Sequence, residues 1–130
     1  LLLLIILPLN VATGESIELE VKKVTELVLG EALIIDIRRK EEWEQTGIIN
    51  GSMLSTFFEK DGTSNEKSFL SKLREQVSPD QTILLICRTG RRTKVATQYI
   101  ISNTEFKKVF SVMGGITEWK SQGFKTTSYP

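Results

Sequence analysis

The chain is predicted to fold as an α/β domain whose mostly parallel central sheet is covered by helices on both faces. Three observations carry this prediction. Short apolar runs alternate with segments of helical period from Ile17 onward, the texture of successive strand-helix units. Two of the runs, Ala32 to Ile37 (ALIIDI) and Thr82 to Ile86 (TILLI), show almost no polar alternation, as expected of strands buried on both faces. No repeat or low-complexity linker divides the 130 residues, a length that fits one domain. The boundaries read from this are an apolar arm at residues 1–16 and a single domain at 17–130.

The elements follow in order. Ile17-Glu18-Leu19 is a short alternating stretch. Val21, Val24, Leu27 and Val28 then recur at helical spacing before Gly30, a C-cap residue. ALIIDI is the next strand, interrupted only by Asp36. Lys40 to Thr46 is charged and helical in pattern, with Trp43 as its apolar contact and Gly47 as its stop. Ile48 to Leu54 is a loop and short strand, and Phe57-Phe58 leads into a polar insertion. Phe69, Leu70, Leu73 and Val77 mark one face of a helix ended by Pro79. TILLI is the clearest strand, with Cys87 at its C-terminal end. Val95, Ala96, Tyr99 and Ile100 mark a helix beginning near Arg92 and running to about Ser102. Lys108 to Val112 is the last strand, and Gly114-Gly115 opens a short helix through Trp119.

Composition excludes several chemistries. The chain has no histidine, which removes Cys-His and Ser-His-Asp hydrolases and every His-ligated metal site. Its single cysteine, Cys87, can make neither an intramolecular disulfide nor a thiolate-rich zinc site. Seventeen Lys and Arg against 16 Asp and Glu leave a formal charge of +1, so no general field draws the chain to nucleic acid or acidic membranes. Leu1 to Leu7 is an unbroken aliphatic run too short to span a bilayer. It resembles the end of a secretory h-region, which implies a periplasmic or secreted protein. It equally fits an apolar arm packed on the domain or a neighbour, which leaves a cytoplasmic location open.

The loop CRTGRR concentrates the chemistry. A strand ending at Ile86 and a helix starting near Arg92 force Cys87 to Arg91 into a sharp turn, whose successive backbone N–H groups form an anion-binding nest. A thiolate at its centre gains from those donors, from the positive end of the helix dipole, and from Arg88, Arg91 or Arg92 folding inward. Gly90 supplies the permissive backbone such a turn needs. Three arginines within five residues make a local basic rim suited to thiosulfate, sulfite, phosphate or arsenate. The alternative is a buried structural cysteine beside solvated arginines.

Several segments together resemble a single-domain rhodanese, a thiosulfate sulfurtransferase, from about Ile17 to Tyr129. DIRRKEEWEQTGIINGS, Asp36 to Ser52, resembles the family's D-V-R, acidic helix with an aromatic, then G-H-I-P-G-A. CRTGRR resembles its C-R-x-G-x-R loop. VFSVMGGITEWKSQGF, Val109 to Phe124, resembles its closing V-x-x-x-x-G-G-x-x-x-W-x-x-x-G segment. The resemblance implies a three-layer α/β/α fold around a five-stranded sheet. It also implies that Cys87 carries sulfane sulfur from a donor to cyanide or a thiol. Backbone amides of Arg88, Thr89, Gly90, Arg91 and Arg92 would hold the persulfide, and Arg88, Arg91 and Arg92 would meet the donor anion. A protein sulfur donor or acceptor is the other partner class, and the resemblance implies that no metal or organic cofactor is needed. Ile48 and Asn50 stand where the family has His and Pro, a departure expected to affect loop shape and partner choice more than sulfur transfer.

Other residues have simpler readings. Asp36, in an apolar strand, needs a partner: either an arginine, Arg38 or Arg92, through which it supports the loop, or backbone N–H groups that it caps. Glu41, Glu42 and Glu44 read as a solvated helix face, and Trp43 and Trp119 as core anchors. At least one of Phe57 and Phe58 is expected near the site mouth, with Lys60 to Lys67 as an edge of the entrance. Two rival functions remain. A phosphatase or arsenate reductase would use a thiolate against phosphorus or arsenic, but the phosphatase loop is C-x5-R and the spacing here, Cys87 to Arg92, is C-x4-R. The other is a sulfur-carrier or interaction module without ordinary turnover.

Overall fold

The computed structural model describes residues 16–130; the aliphatic run Leu1 to Leu7 and the question of its fate lie outside them. Ten elements alternate along the chain: β1 (Glu18–Leu19), α1 (Val21–Leu29), β2 (Leu33–Asp36), α2 (Lys40–Thr46), β3 (Met53–Leu54), α3 (Glu66–Gln76), β4 (Ile83–Ile86), α4 (Arg91–Asn103), β5 (Val109–Val112) and α5 (Gly115–Ser121). The five strands form one sheet in the order β1-β5-β4-β2-β3. Every pairing is parallel. Among the described residues, no helix is long and apolar enough to cross a membrane.

Strand periodicity explains the layers. Successive side chains of a strand face opposite sides of the sheet. Ile83 and Leu85 of β4 accordingly join a cluster with Phe69 and Leu73 of α3 and Ala96 and Ile100 of α4. Leu84 and Ile86 join the opposite cluster, with Val21 and Val24 of α1 and Ile116 and Trp119 of α5. All four β4 side chains are fully buried, which is why TILLI carries no alternation. The domain is thus a three-layer α/β/α sandwich, and β4 is its central strand.

Two local expectations are corrected. The buried face of α4 is Thr93, Ala96, Thr97 and Ile100, while Tyr99 is half-buried and Val95 is 54% exposed. Two buried positions are threonines, whose polar letters hid them from the apolar pattern, and the helix begins one residue early, at Arg91. At the end of α1, Gly30 occupies the C-cap as expected, with φ −93°, while the left-handed conformation falls on Glu31, φ 73°. Val28, assigned to the inner face of α1, is 40% exposed.

The Asp36 alternatives are both realised, on one residue. Asp36 and Arg38 are each fully buried. Arg38 Nε lies 3.0 and 3.1 Å from the two Asp36 carboxylate oxygens, and Nη2 lies 2.8 Å from Oδ2. The Arg38 backbone N–H also donates to Oδ1 at 3.1 Å. Arg92 is not its partner. The other guanidinium N–H groups reach Thr46 Oγ1 at 2.6 Å, Gly47 O at 2.9 Å and Glu42 O at 3.3 Å. Both charges are therefore hydrogen-bonded as well as paired, the condition under which burial is tolerated. Asp36→Asn leaves the Arg38 charge without its counterion, and we expect a loss of about 3–5 kcal/mol, read as a lower urea midpoint with an unchanged slope.

Candidate active site

The site lies at the carboxyl ends of the central strands, where helix N-termini converge in parallel sheets. Cys87 follows β4 directly and is 1% exposed. Its Sγ accepts the Gly90 N–H at 3.1 Å and lies 3.4 Å from Thr93 Oγ1. Gly90 holds φ 93°, and a Cβ there would sit 3.1 Å from Gly114 N and 3.3 Å from Val112 O. A side chain at this position would be strained in backbone conformation and crowded as well.

The last helix sets the loop's orientation. Ile116 N–H donates to Cys87 O at 2.8 Å, and Thr117 N–H donates to Arg88 O at 3.1 Å. In a trans peptide the N–H points opposite to the C=O. Fastening these two carbonyls to α5 therefore turns the amides of Arg88 and Thr89 toward the opposite side. Arg91, Arg92 and Thr93, in the first turn of α4, have amides with no intrahelical acceptor. Gly115 permits the close approach, since a Cβ there would lie 2.6 Å from the carbonyl atoms of Arg88 and closer still to Cys87 O.

Thr93 and Ser111 are buried polar residues of the candidate site that the sequence reading missed. Thr93 Oγ1 lies 2.7 Å from Ser111 Oγ and donates to Gly90 O at 3.2 Å; both residues are fully buried. One polar letter in the apolar strand VFSV was the available signal for Ser111, the same kind of signal that singled out Asp36.

The arginines divide. Arg88 and Arg91 are exposed, as is Thr89. Arg92, grouped with them as an anion ligand, instead gives two guanidinium N–H groups to Glu42, at 2.8 and 2.6 Å. Glu42 is therefore not part of a solvated face, whereas Glu41 and Glu44 are exposed. Burial pushes the Glu42 carboxyl up, but the Arg92 hydrogen bonds, the Arg39 N–H and the two guanidinium charges outweigh it and hold the group at about 2. The Glu42 carboxylate reciprocally raises Arg92 against the effect of burial. Arg39, Glu42, Arg88, Thr89, Arg91 and Arg92 enclose a polar depression of about 280 Å³.

The remaining assignments sort by distance from this mouth. Trp43 and Trp119 are both 8% exposed and act as core anchors. Phe57 is buried and Phe58 half-buried against it, with ring centroids 4.8 Å apart. Neither these rings nor residues 60–67 line the mouth. Ile48 is zipped to Thr127 by two backbone hydrogen bonds of 2.8 and 2.7 Å, and Asn50 faces a separate apolar cavity beside Ile34, Ile49 and Trp119. Neither departure from the family pattern lines the depression bordered by Arg88, Arg91 and Arg92.

A family profile described as the rhodanese-like domain matches residues 20–122. A rhodanese domain-containing protein of Drosophila melanogaster is 32% identical over 92 residues, covering 66% of this chain and 79% of that protein. An adenylyltransferase and sulfurtransferase of Debaryomyces hansenii is 28% identical over 94 residues, or 70% of this chain and 20% of that much longer protein. The crystal structure of a rhodanese-related protein from Thermoplasma volcanium superposes with a TM-score of 0.64 at 20% identity, covering 86% of this chain and 98% of that one.

The Glu42 pairing has a pH signature. A carboxyl held at about 2 in the folded state, against 4.5 normally, contributes stability that is complete above the unfolded value and lost as pH falls through the folded one. Glu42→Gln should therefore be less stable than the parent at neutral pH. The gap should shrink between about pH 4.5 and about pH 2, as measured by chemical denaturation at each pH.

Proposed function

The chain belongs to the rhodanese-like domain family, and from that premise we propose that it is a sulfurtransferase moving sulfane sulfur through a Cys87 persulfide. The observation that carries this reading is the seat of Cys87 Sγ: almost closed to solvent, held by the Gly90 N–H at 3.1 Å, and followed directly by the loop residues Arg88, Thr89, Arg91 and Arg92 that border a polar depression. A sulfur recessed to this degree is accessible to a slender group, such as a terminal sulfane sulfur, a thiolate or cyanide.

The transfer balances as two displacements. The Cys87 thiolate attacks the outer sulfur of thiosulfate or a related donor; a new S–S bond forms, the bond to the sulfonate sulfur breaks, and its electron pair leaves with sulfite. Cyanide or a thiolate then attacks the terminal sulfur of the persulfide, and the Cys87 thiolate departs. Amides of the turn are suited to stabilise the persulfide anion, while Arg88 and Arg91 are suited to meet the donor. The likeness to a sulfurtransferase of Debaryomyces hansenii supports the same chemistry.

Phosphoryl or arsenate chemistry fits less well. It would need the arginine that closes the loop to clasp a tetrahedral oxyanion, and Arg92 is already bound at two points to Glu42. Mass spectrometry of the protein treated with thiosulfate should show one added sulfur on Cys87, removed by cyanide with release of thiocyanate, and absent from Cys87→Ser. Hydrolysis of a phosphotyrosine analogue without thiocyanate release would reverse the assignment. Slow turnover with thiosulfate beside fast uptake from a protein persulfide would identify a carrier module instead.

A further inference from the structure

The four guanidinium groups at the mouth are not equivalent. Arg39 Nε is held by Glu41 at 2.8 Å, and Arg92 is held by Glu42 at two points. Arg88 and Arg91 are exposed, and among the described residues neither has a carboxylate within ion-pair reach. Arg92 borders the same depression as Arg88 and Arg91, yet its hydrogen-bonding edge is committed to α2. Glu42 is itself part of the mouth wall, so an entering donor meets its negative charge.

The carboxylate is also fixed in place. Glu42 Oε2 accepts the Arg39 N–H at 3.0 Å, closing a capping box at the start of α2, and Arg38 bonds the Glu42 carbonyl from below. Releasing Arg92 to a substrate would require this carboxylate to give up a partner inside a shielded site. Side-chain exposure of only 14% and 23% for Glu42 and Arg92 makes that exchange more costly than at an open surface pair.

We propose that Glu42 is a specificity-determining residue: by withholding Arg92 from the donor it leaves two free cations, Arg88 and Arg91, and biases the mouth toward singly charged or neutral persulfides over dianionic thiosulfate. The proposal rests on the sulfur-transfer reading of Cys87. A dianion gains from every added guanidinium and loses to every carboxylate at the mouth, whereas a persulfide with little net charge is nearly indifferent to both.

The test compares thiosulfate with cysteamine persulfide, whose ammonium tail offsets its sulfur charge. Glu42→Gln is expected to lower KM for thiosulfate about fivefold and to leave KM for cysteamine persulfide unchanged. The double variant Glu42→Gln with Arg92→Gln should return the thiosulfate KM to the parent value, because the freed guanidinium is gone. An unmoved thiosulfate KM, or an equal fall in kcat for both donors, overturns the proposal and leaves Glu42 a structural brace. Should Glu42→Gln fail to fold, Glu42→Asp shortens the reach to Arg92 and should lower the thiosulfate KM in the same direction; no change there overturns it equally. Calorimetric titration with sulfite reads the anion site without turnover. Tighter sulfite binding by Glu42→Gln in a protein that transfers no sulfur would sink the transfer assignment while sparing the charge argument.

Discussion

The buried Asp36–Arg38 pair is the constraint on which the rest of the site depends. Two charges with essentially no solvent contact persist only if every donor and acceptor is used, and here the requirement propagates outward. The guanidinium spends its remaining N–H groups on Thr46, Gly47 and the Glu42 carbonyl, which fastens the short helix α2 across the end of β2. A seven-residue helix has little stability of its own. Anchored this way, it presents the Glu42 carboxylate to Arg92, the last residue of the active loop.

The loop is thus held from two sides by elements remote in sequence. From α2 comes a charge that restrains a side chain; from α5 come two amides that restrain the main chain. Gly90 and Gly115 allow the loop and the β5–α5 turn to approach. The cradle around Cys87 is consequently organised by the fold itself, which is what the proposed sulfur transfer asks of it.

Polarity around Cys87 is distributed unevenly. Behind the sulfur lies a buried pair of hydroxyls, Thr93 and Ser111, 2.7 Å apart. In front lies a rim in which carboxylates of α2 offset half of the guanidinium groups. The near-neutral charge of the whole chain is therefore reproduced locally to a degree that three clustered arginines in a row of letters do not suggest. The position of Cys87 is a property of the loop; the balance of charge around it is a property of the neighbouring helix.

Most of the architecture was legible in the letters. Apolar runs without alternation identified β2 and β4 because strands buried on both faces have no polar side, and the position of Cys87 after such a run placed it at the carboxyl edge of the sheet. Asp36 announced a partner for the same reason, being a charge where none should be. The hydroxyl pair and the inner face of α4 were hidden because threonine and serine can be buried through a methyl or one hydrogen bond without disturbing the pattern. Glu42 was hidden more deeply, since nothing local separates it from Glu41 and Glu44. Its role exists only because a residue 50 positions away is brought against it. The sequence by itself determined the layers, the parallel sheet and the place of Cys87 at the carboxyl edge of the sheet, all of which follow from periodicity and local turn chemistry. Only the tertiary structure decided which arginines remain free to meet a substrate, because the pairing of charges depends on distances across the fold that no spacing along the chain encodes.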